Sequence, residues 1–317
     1  MALTLVEMDD EDFARRRGPM VTGYAEAIST ARGLSVPEAE AESERDIADR
    51  LPRGAATRGQ LLRKAVVDDA EVGWIWISLP SSTMPEMAWI SDIEVDTGHR
   101  TRGHGAAIIT AVEAELVELG VPRLGLNVFG DNPTAARLYT RLGFEVTARQ
   151  LARSLADVPA APGIELVPMA DYESRIETLF ADYARDLVEE QGIWHGEAEE
   201  RAGRRLAELL PHGRGTEGMI LRTVLAKGEP VGWLWAAMPA PPRPGMGWLH
   251  NLDIDEPFRS RGYGAGAIAA VEAELVHRGV RSLGLNVHGA NDRARKLYER
   301  LGYELLAQQM AKDLPAL

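Results

Sequence analysis

The residues best suited to chemistry lie in one run, Asp92-Ile93-Glu94-Val95-Asp96-Thr97-Gly98-His99-Arg100-Thr101-Arg102-Gly103-His104-Gly105-Ala106. Asp92, Glu94 and Asp96 alternate with Ile93 and Val95, so in a strand the three carboxylates share one face. Such a face is either a proton-accepting site or a solvated edge, and spacing alone leaves both readings open. The strand runs into a Gly-containing turn that opens directly into a helix. Backbone N–H groups at such a turn have no intrahelical partner and point outward at the positive end of the helix dipole, which makes a seat for phosphate.

The device occurs twice. Asn251-Leu252-Asp253-Ile254-Asp255-Glu256-Pro257-Phe258-Arg259-Ser260-Arg261-Gly262-Tyr263-Gly264-Ala265 repeats it at an offset of 159 residues. From 72–146 against 231–305 no gap is needed, and 38 of 75 positions are identical. The register holds to the end, where Leu151, Arg153 and Leu155 match Met310, Lys312 and Leu314. A period this long means two whole domains rather than a solenoid. The expected partition is 1–157 and 164–317, with a Pro- and Ala-containing linker at 158–163.

The elements that must hold the turn follow from pattern. In the first copy, short strand Leu3–Val6 precedes two helices over about 11–32 and 37–50, with Pro37 at a first helical position. Leu61–Val67 and Glu71–Leu79 read as a hairpin through Asp68-Asp69, and 87–95 as the next strand after a loop at Pro80–Pro85. A helix from Gly105 to Leu119 carries Ile108, Ile109, Val112 and Leu116 on one stripe and stops at Gly120. After the buried strand Leu124–Val128, Asn132 caps a helix with Pro133 at its start. Ala135, Leu138, Tyr139 and Leu142 form its inner face and Gly143 its end. A last strand runs from about Phe144 to Leu155.

Composition narrows the function. Without cysteine there is no thiol nucleophile, disulfide or Cys-based zinc site, and His99, His104, His250 and His288 show no metal-ligand pattern, so no metal is expected. The net charge of −13 is shared by both halves, which argues against nucleic acid and is compatible with a cationic amine as partner. The acidic N-terminus and the lack of any run of ~18 apolar residues argue against a signal peptide or a membrane span, and a cytoplasmic protein is expected. Gly262-Tyr263-Gly264-Ala265-Gly266-Ala267 also fits a dinucleotide fingerprint, but the next strand lacks the acidic residue that reading requires, and no Walker-type Gly-Lys-Ser/Thr exists.

Arg100-x-x-Gly103-x-Gly105 and Arg259-x-x-Gly262-x-Gly264 resemble the acyl-coenzyme A loop of the GNAT superfamily of N-acetyltransferases. Asn132-x-x-Ala135-x-x-Leu138-Tyr139-x-x-Leu142-Gly143-Phe144, and its counterpart from Asn291 to Tyr303, are similar to that family's second signature. The tandem pair is similar to mycothiol synthase-like proteins. The resemblance covers nearly the whole chain. It implies an α/β (α+β type) fold of two tandem domains, each a mixed, largely antiparallel sheet with helices on both faces and a splayed central strand pair.

The implied activity is direct transfer of an acetyl group from acetyl-coenzyme A, or another short acyl-coenzyme A, to a small-molecule primary amine. The alternative is that one or both domains is a non-catalytic acyl-coenzyme A-binding sensor or structural module. The implied cofactor contacts are Arg100, Thr101, Arg102, Gly103, His104, Gly105 and Ala106 at the loop, Ile93 and Val95 on the strand edge, and Asn127 and Asn132. In the second copy they are Arg259, Ser260, Arg261, Gly262, Tyr263, Gly264, Ala265, Leu252, Ile254, Asn286 and Asn291. Tyr139 and Tyr298 take the thiolate-facing position as candidate general acids; a tyrosine on a helix's inner face can also be plain core. Glu94 and Asp253 are the first-choice bases, acting through water, with Asp92 an alternative in the first half only because its counterpart is Asn251. Six tryptophans, among them Trp74, Trp76 and Trp89, are expected to pack the sheet, with lining of the acceptor pocket the alternative for some of them. Acceptor choice is assigned to Tyr24–Leu51 and Tyr183–Leu210, the least similar parts of the halves. The chain is expected to be a monomer with an internal pseudo-dimer, or a homodimer.

Overall fold

The computed structural model of the chain describes residues 3–32, 34–81, 84, 86–130, 132–158, 161–191, 195–239 and 245–316. Parts of the Pro80–Pro85 loop and of the 158–163 linker fall outside them. The first copy runs β1 (Thr4–Glu7), α1 (Asp10–Arg32), α2 (Val36–Arg50), β2 (Gln60–Val67), β3 (Ala70–Ser78), β4 (Met87–Val95), α3 (His104–Glu118), β5 (Arg123–Phe129), α4 (Pro133–Arg141) and β6 (Glu145–Ser154). The second runs β7 (Ile164–Pro168), α5 (Tyr172–Gln191), α6 (His195–Leu209), β8 (Met219–Ala226), β9 (Glu229–Ala237), β10 (Met246–Ile254), α7 (Tyr263–His277), β11 (Ser282–His288), α8 (Asp292–Arg300) and β12 (Glu304–Asp313). The elements expected from the sequence are present, with ends displaced by a residue or two.

Local chemistry accounts for the boundaries. Asp68 and Asp69 both take positive φ, as a two-residue hairpin turn between β2 and β3 requires. Ser35 and Glu38 form a reciprocal capping box at the start of α2, with Pro37 in its first turn. Gly120 and Gly143 stop α3 and α4 in the left-handed region.

In the first copy β1, β2, β3 and β4 are antiparallel neighbours, and β4 pairs in parallel with β5 through the α3 crossover. The period-2 alternation of β3 sends its side chains to two cores. Ile75 and Ile77 pack with Ile108, Ile109, Val112 and Leu116 of α3. Trp74 and Trp76 pack on the other face with Met20 of α1 and Ile47 of α2. The second copy repeats the plan, with Trp233 and Trp235 against Ile176, Leu206 and Leu210. Trp89 and Trp248 lie instead over Gly125 and Gly284, where an added Cβ would meet the indole at 2.7 and 2.6 Å.

Gly73 permits an equally close approach beside β4, since a Cβ there would sit 2.3 Å from the Glu94 carbonyl oxygen. Gly73→Ala is therefore expected to lower stability by about 1–3 kcal/mol through overpacking. Urea unfolding of the variant checks this, and an unchanged midpoint would contradict it.

The chain divides into one unit of residues 1–151, 287–296 and 304–317 and another of 152–286 and 297–303. This differs from the partition at 158–163. The last strand of the chain, β12, pairs antiparallel with β5 over Ala307↔Phe129 to Asp313↔Arg123, so it completes the sheet of the first unit. Lys312 bonds both Glu113 oxygens at 2.8 Å there. In the second unit Arg153, its repeat counterpart from the end of β6, bonds the fully buried Glu272, and Tyr303 donates to the same carboxylate at 2.8 Å. Equivalent strands ending two homologous halves can fill each other's slots, and a boundary drawn at the linker cannot reveal which slot each takes. No helix among the described residues is long and apolar enough to cross a membrane.

Candidate active site

Strand β4 gives way at Val95 to Asp96, whose N–H bonds the Val72 carbonyl and whose carbonyl accepts from His99 N–H. A single 3-10 turn over Thr97–His99 follows. Thr101 (φ +64°) and Gly103 (φ +85°) then turn the chain left-handed on either side of Arg102, and α3 begins with no side chain capping its first N–H groups. Alternating handedness of this kind gathers successive amides into an anion-binding concavity. Ser260 (φ +65°) and Gly262 (φ +85°) repeat it before α7.

Arg100 does not project from the loop. Its Nε donates to the Val95 carbonyl at 3.0 Å and Nη2 to Glu94 at 3.3 Å, and Arg259 does the same with Ile254 and Asp253 at 2.7 and 3.2 Å. Both arginines thus lock the turn to the strand, leaving backbone amides to line the concavity. Asn132 and Asn291 spend their side-chain oxygens on the N–H groups of Ala135 and Ala294, so they act first as helix caps.

Pairing between β4 and β5 runs only from Met87↔Arg123 to Ile90↔Leu126. Beyond it, Ile93 and Val95 have no partner in β5, and the strands part. Pairing between β10 and β11 likewise stops at Leu249↔Leu285, leaving Leu252 and Ile254 unpaired on that side. At the point of parting each strand carries a bulge, at Ser91 in β4 and at His250 in β10.

In the first unit the gap opens into a cavity of about 700 Å³ walled by α1, α2, β3, β4, β5 and α4. Asp92, Glu94 and Tyr139 line it, with Tyr24, Glu26, Asp46, Arg50, Trp76 and Asn127. From the segment Tyr24–Leu51, the residues that line it are Tyr24, Glu26, Ala27, Asp46, Ile47 and Arg50.

The three strand carboxylates share the α1–α2 face but differ in surroundings. Asp96 is gripped by Arg16 of α1 at 2.7 and 2.8 Å. Glu94 holds Arg100 and receives Trp74 Nε1 at 3.4 Å. Among the described residues, Asp92 accepts only a hydrogen bond from Ile93 N–H, at 2.8 Å. Burial pushes the Asp92 carboxyl up to about 7, aided by the Glu94 charge and opposed by the Ile93 N–H and by Arg50. The residue keeps a little accessible surface toward the cavity, so it is desolvated yet reachable.

Tyr139 stacks edge-on with Phe144, ring centroids 5.6 Å apart. Burial first, and the Asp92 charge second, raise its phenol to about 12. Tyr298 has the same relation to Tyr303, at 5.4 Å, and burial alone raises it to about 12.

The second copy changes the cavity wall and the residues supporting it as a block. Asp46, Arg50, Ser78, Ser91 and Asp92 become Arg205, Leu209, Ala237, His250 and Asn251. Arg50 lies 4.3 Å over the Trp76 ring, and its Nη2 donates to the Ser78 and Ser91 hydroxyls. In the second unit His250 stacks on Trp235 at 4.5 Å, and burial together with Arg205 lowers its imidazole to about 4. Sequence reasoning set His250 aside and missed Arg50 and Ser91. The mismatch of serine with histidine at one repeat position was the available signal.

The acetyltransferase (GNAT) family model matches residues 26–144 and 176–303. An uncharacterized N-acetyltransferase of Bacillus subtilis (strain 168), YycN, is 33% identical over 156 residues, spanning 48% of this chain and 99% of that protein. The mycothiol acetyltransferase of Amycolatopsis mediterranei is 26% identical over 287 residues, 85% of this chain and 89% of that protein. Among solved structures, a GCN5-related N-acetyltransferase from Sphaerobacter thermophilus shares the fold with a TM-score of 0.57 at 18% identity, covering 99% of this chain and 97% of that one. The chain belongs to the GNAT family of acetyltransferases and has its tandem, two-domain architecture. Acyl transfer from an acyl-coenzyme A is its general class of activity.

Proposed function

We propose that the protein is an acetyl-coenzyme A-dependent N-acetyltransferase that moves an acetyl group directly to a small primary amine. The observation that carries this reading is the meeting of Asp92 and Tyr139 in one cavity at the point where β4 and β5 part. The residues present fit an acyl-coenzyme A. The uncapped amides after Gly103 suit its diphosphate, the free edge at Ile93 and Val95 suits its amide-containing tail, and the side-chain oxygen of Asn127 is buried without a partner, ready to accept an amide N–H. When bound, that molecule supplies the thioester-activated acetyl group.

The chain's own residues then have two proton tasks. Asp92 Oδ takes a proton from the incoming ammonium, for which a carboxyl near 7 is well matched at neutral pH. Tyr139 Oη, still protonated there, gives one to the departing sulfur and regains one from the newly acylated nitrogen, which sheds its second proton. Asp92 suits the base role in the first unit better than Glu94, whose charge is committed to Arg100. In the second unit Asp253 is likewise committed to Arg259, and Asn251 cannot accept a proton, which favours a second reading for that unit as a non-catalytic acyl-coenzyme A-binding module.

Incubation with acetyl-coenzyme A and a panel of small amines is expected to release free thiol and yield acetylated amine, with cationic amines favoured by the acidic wall. Absence of thiol release across the panel, while coenzyme A still binds, would count against the transferase reading.

A further inference from the structure

Helices α1 and α5 are where the copies have diverged most. Of the 23 residues of α1, only Asp12, Arg16, Tyr24 and Ala25 recur at the 159-residue offset. Arg16 and its counterpart Arg175 make the same contact. Arg16 donates from Nη1 and Nη2 to the two oxygens of Asp96 at 2.7 and 2.8 Å, and Arg175 does so to Asp255 at 2.6 and 3.0 Å. The second carboxylate on each guanidinium has a different origin: Glu71 from the hairpin at 2.6 Å in the first unit, Asp171 beside α5 at 2.9 Å in the second. Charge neutralisation alone is met in two ways, whereas the paired-oxygen grip on Asp96 and Asp255 is kept.

Those aspartates stand at a particular place. Each closes its strand, bonds back to β3 or β9 through its N–H, and opens the 3-10 turn that delivers the phosphate loop. A few residues past Arg16, the turns of α1 from Pro19 to Ala27 wall the cavity. We infer that Arg16 and Arg175 are positioning residues: each fixes the entrance of its unit's diphosphate loop and fastens it to the helix beside the acceptor. The planar guanidinium fork suits this role because two parallel bonds set orientation as well as distance. The inference rests on the reading of the loops as acyl-coenzyme A seats.

Calorimetric titration of the full chain with coenzyme A tests it, using the two sites as controls for one another. Arg16→Gln is expected to weaken one of two sites about tenfold and leave the other unchanged, and Arg175→Gln to do the reverse. Arg16→Lys should behave like Arg16→Gln, because it keeps the charge and loses the fork. Asp96→Asn should match Arg16→Gln, and the double variant should bind no more weakly than either alone. Should Arg16→Gln fail to fold, Asp96→Asn carries the same comparison. Wild-type affinity at both sites in a folded Arg16→Gln or Asp96→Asn chain would overturn the inference, as would additive losses in the double variant. A wild-type chain that binds no coenzyme A would overturn both this inference and the functional reading beneath it, whereas two intact sites in the variants would overturn this inference alone.

Discussion

Asp92→Asn is expected to slow acetyl transfer by the first unit about 10²–10⁴-fold while leaving the fold intact. The substitution is nearly isosteric, and the second copy already carries asparagine at the equivalent position, Asn251. The pH dependence gives the sharper test. Burial holds the Asp92 carboxyl near 7, with Glu94 on its own strand adding to the shift and Arg50 of α2 opposing it. A base works in its ionised form, so kcat/KM should rise with pH through about 7 and fall away below it. Asp92→Asn should flatten that limb. Arg50→Leu, which installs the second unit's residue, should move it to higher pH by removing the opposing charge. The profile is best recorded in a Tyr298→Phe background, so that the first unit is read alone. A limb at the same pH in Asp92→Asn would assign the base elsewhere, with Glu94 the next candidate.

Tyr139→Phe is expected to cost a similar factor, about 10²–10⁴ in kcat, with coenzyme A affinity unchanged. The phenylalanine keeps the edge-on contact with Phe144, so the core loses only a hydroxyl. A phenol held near 12 stays protonated throughout the working range, which makes Tyr139 a donor and unsuits it as a base. The split between kcat and binding separates this role from packing. An unchanged kcat would remove Tyr139 from the chemistry, and a parallel loss of affinity would make it a structural residue.

Where structure is governed by neighbours in sequence, the chain was readable. Asn132 and Pro133 announce a helix start, Gly103 a left-handed step, and the Asp92–Glu94–Asp96 alternation a common face, because caps, turns and strand period act over a few residues. What distinguishes those carboxylates was not readable. Asp92 faces a desolvated cavity, Glu94 a guanidinium from its own loop, and Asp96 a guanidinium from 80 residues away. Each environment depends on packing between elements. The bulge at Ser91, which sets where β4 turns toward the cavity, leaves no local signature in a run of otherwise regular strand residues. His250 illustrates the same point: an isolated histidine looks incidental until the bulge stacks it on Trp235. The repeat fixed the number of domains but could not say which final strand closes which sheet, since Arg153 and Lys312 suit either socket.

That last ambiguity has a bearing on how the molecule is made. The slot beside β5 is filled by residues 307–313, so while a ribosome is still producing the second half, the nascent first half has an open hydrogen-bonding edge. Vectorial folding, in which an N-terminal domain matures before its successor emerges, therefore cannot deliver the native pairing of the first unit. The first unit reaches its native sheet only once residues 307–313 are available. A chain cut before residue 307 would lack the strand that completes the first unit's sheet, so it would yield not a smaller working unit but an unfinished one.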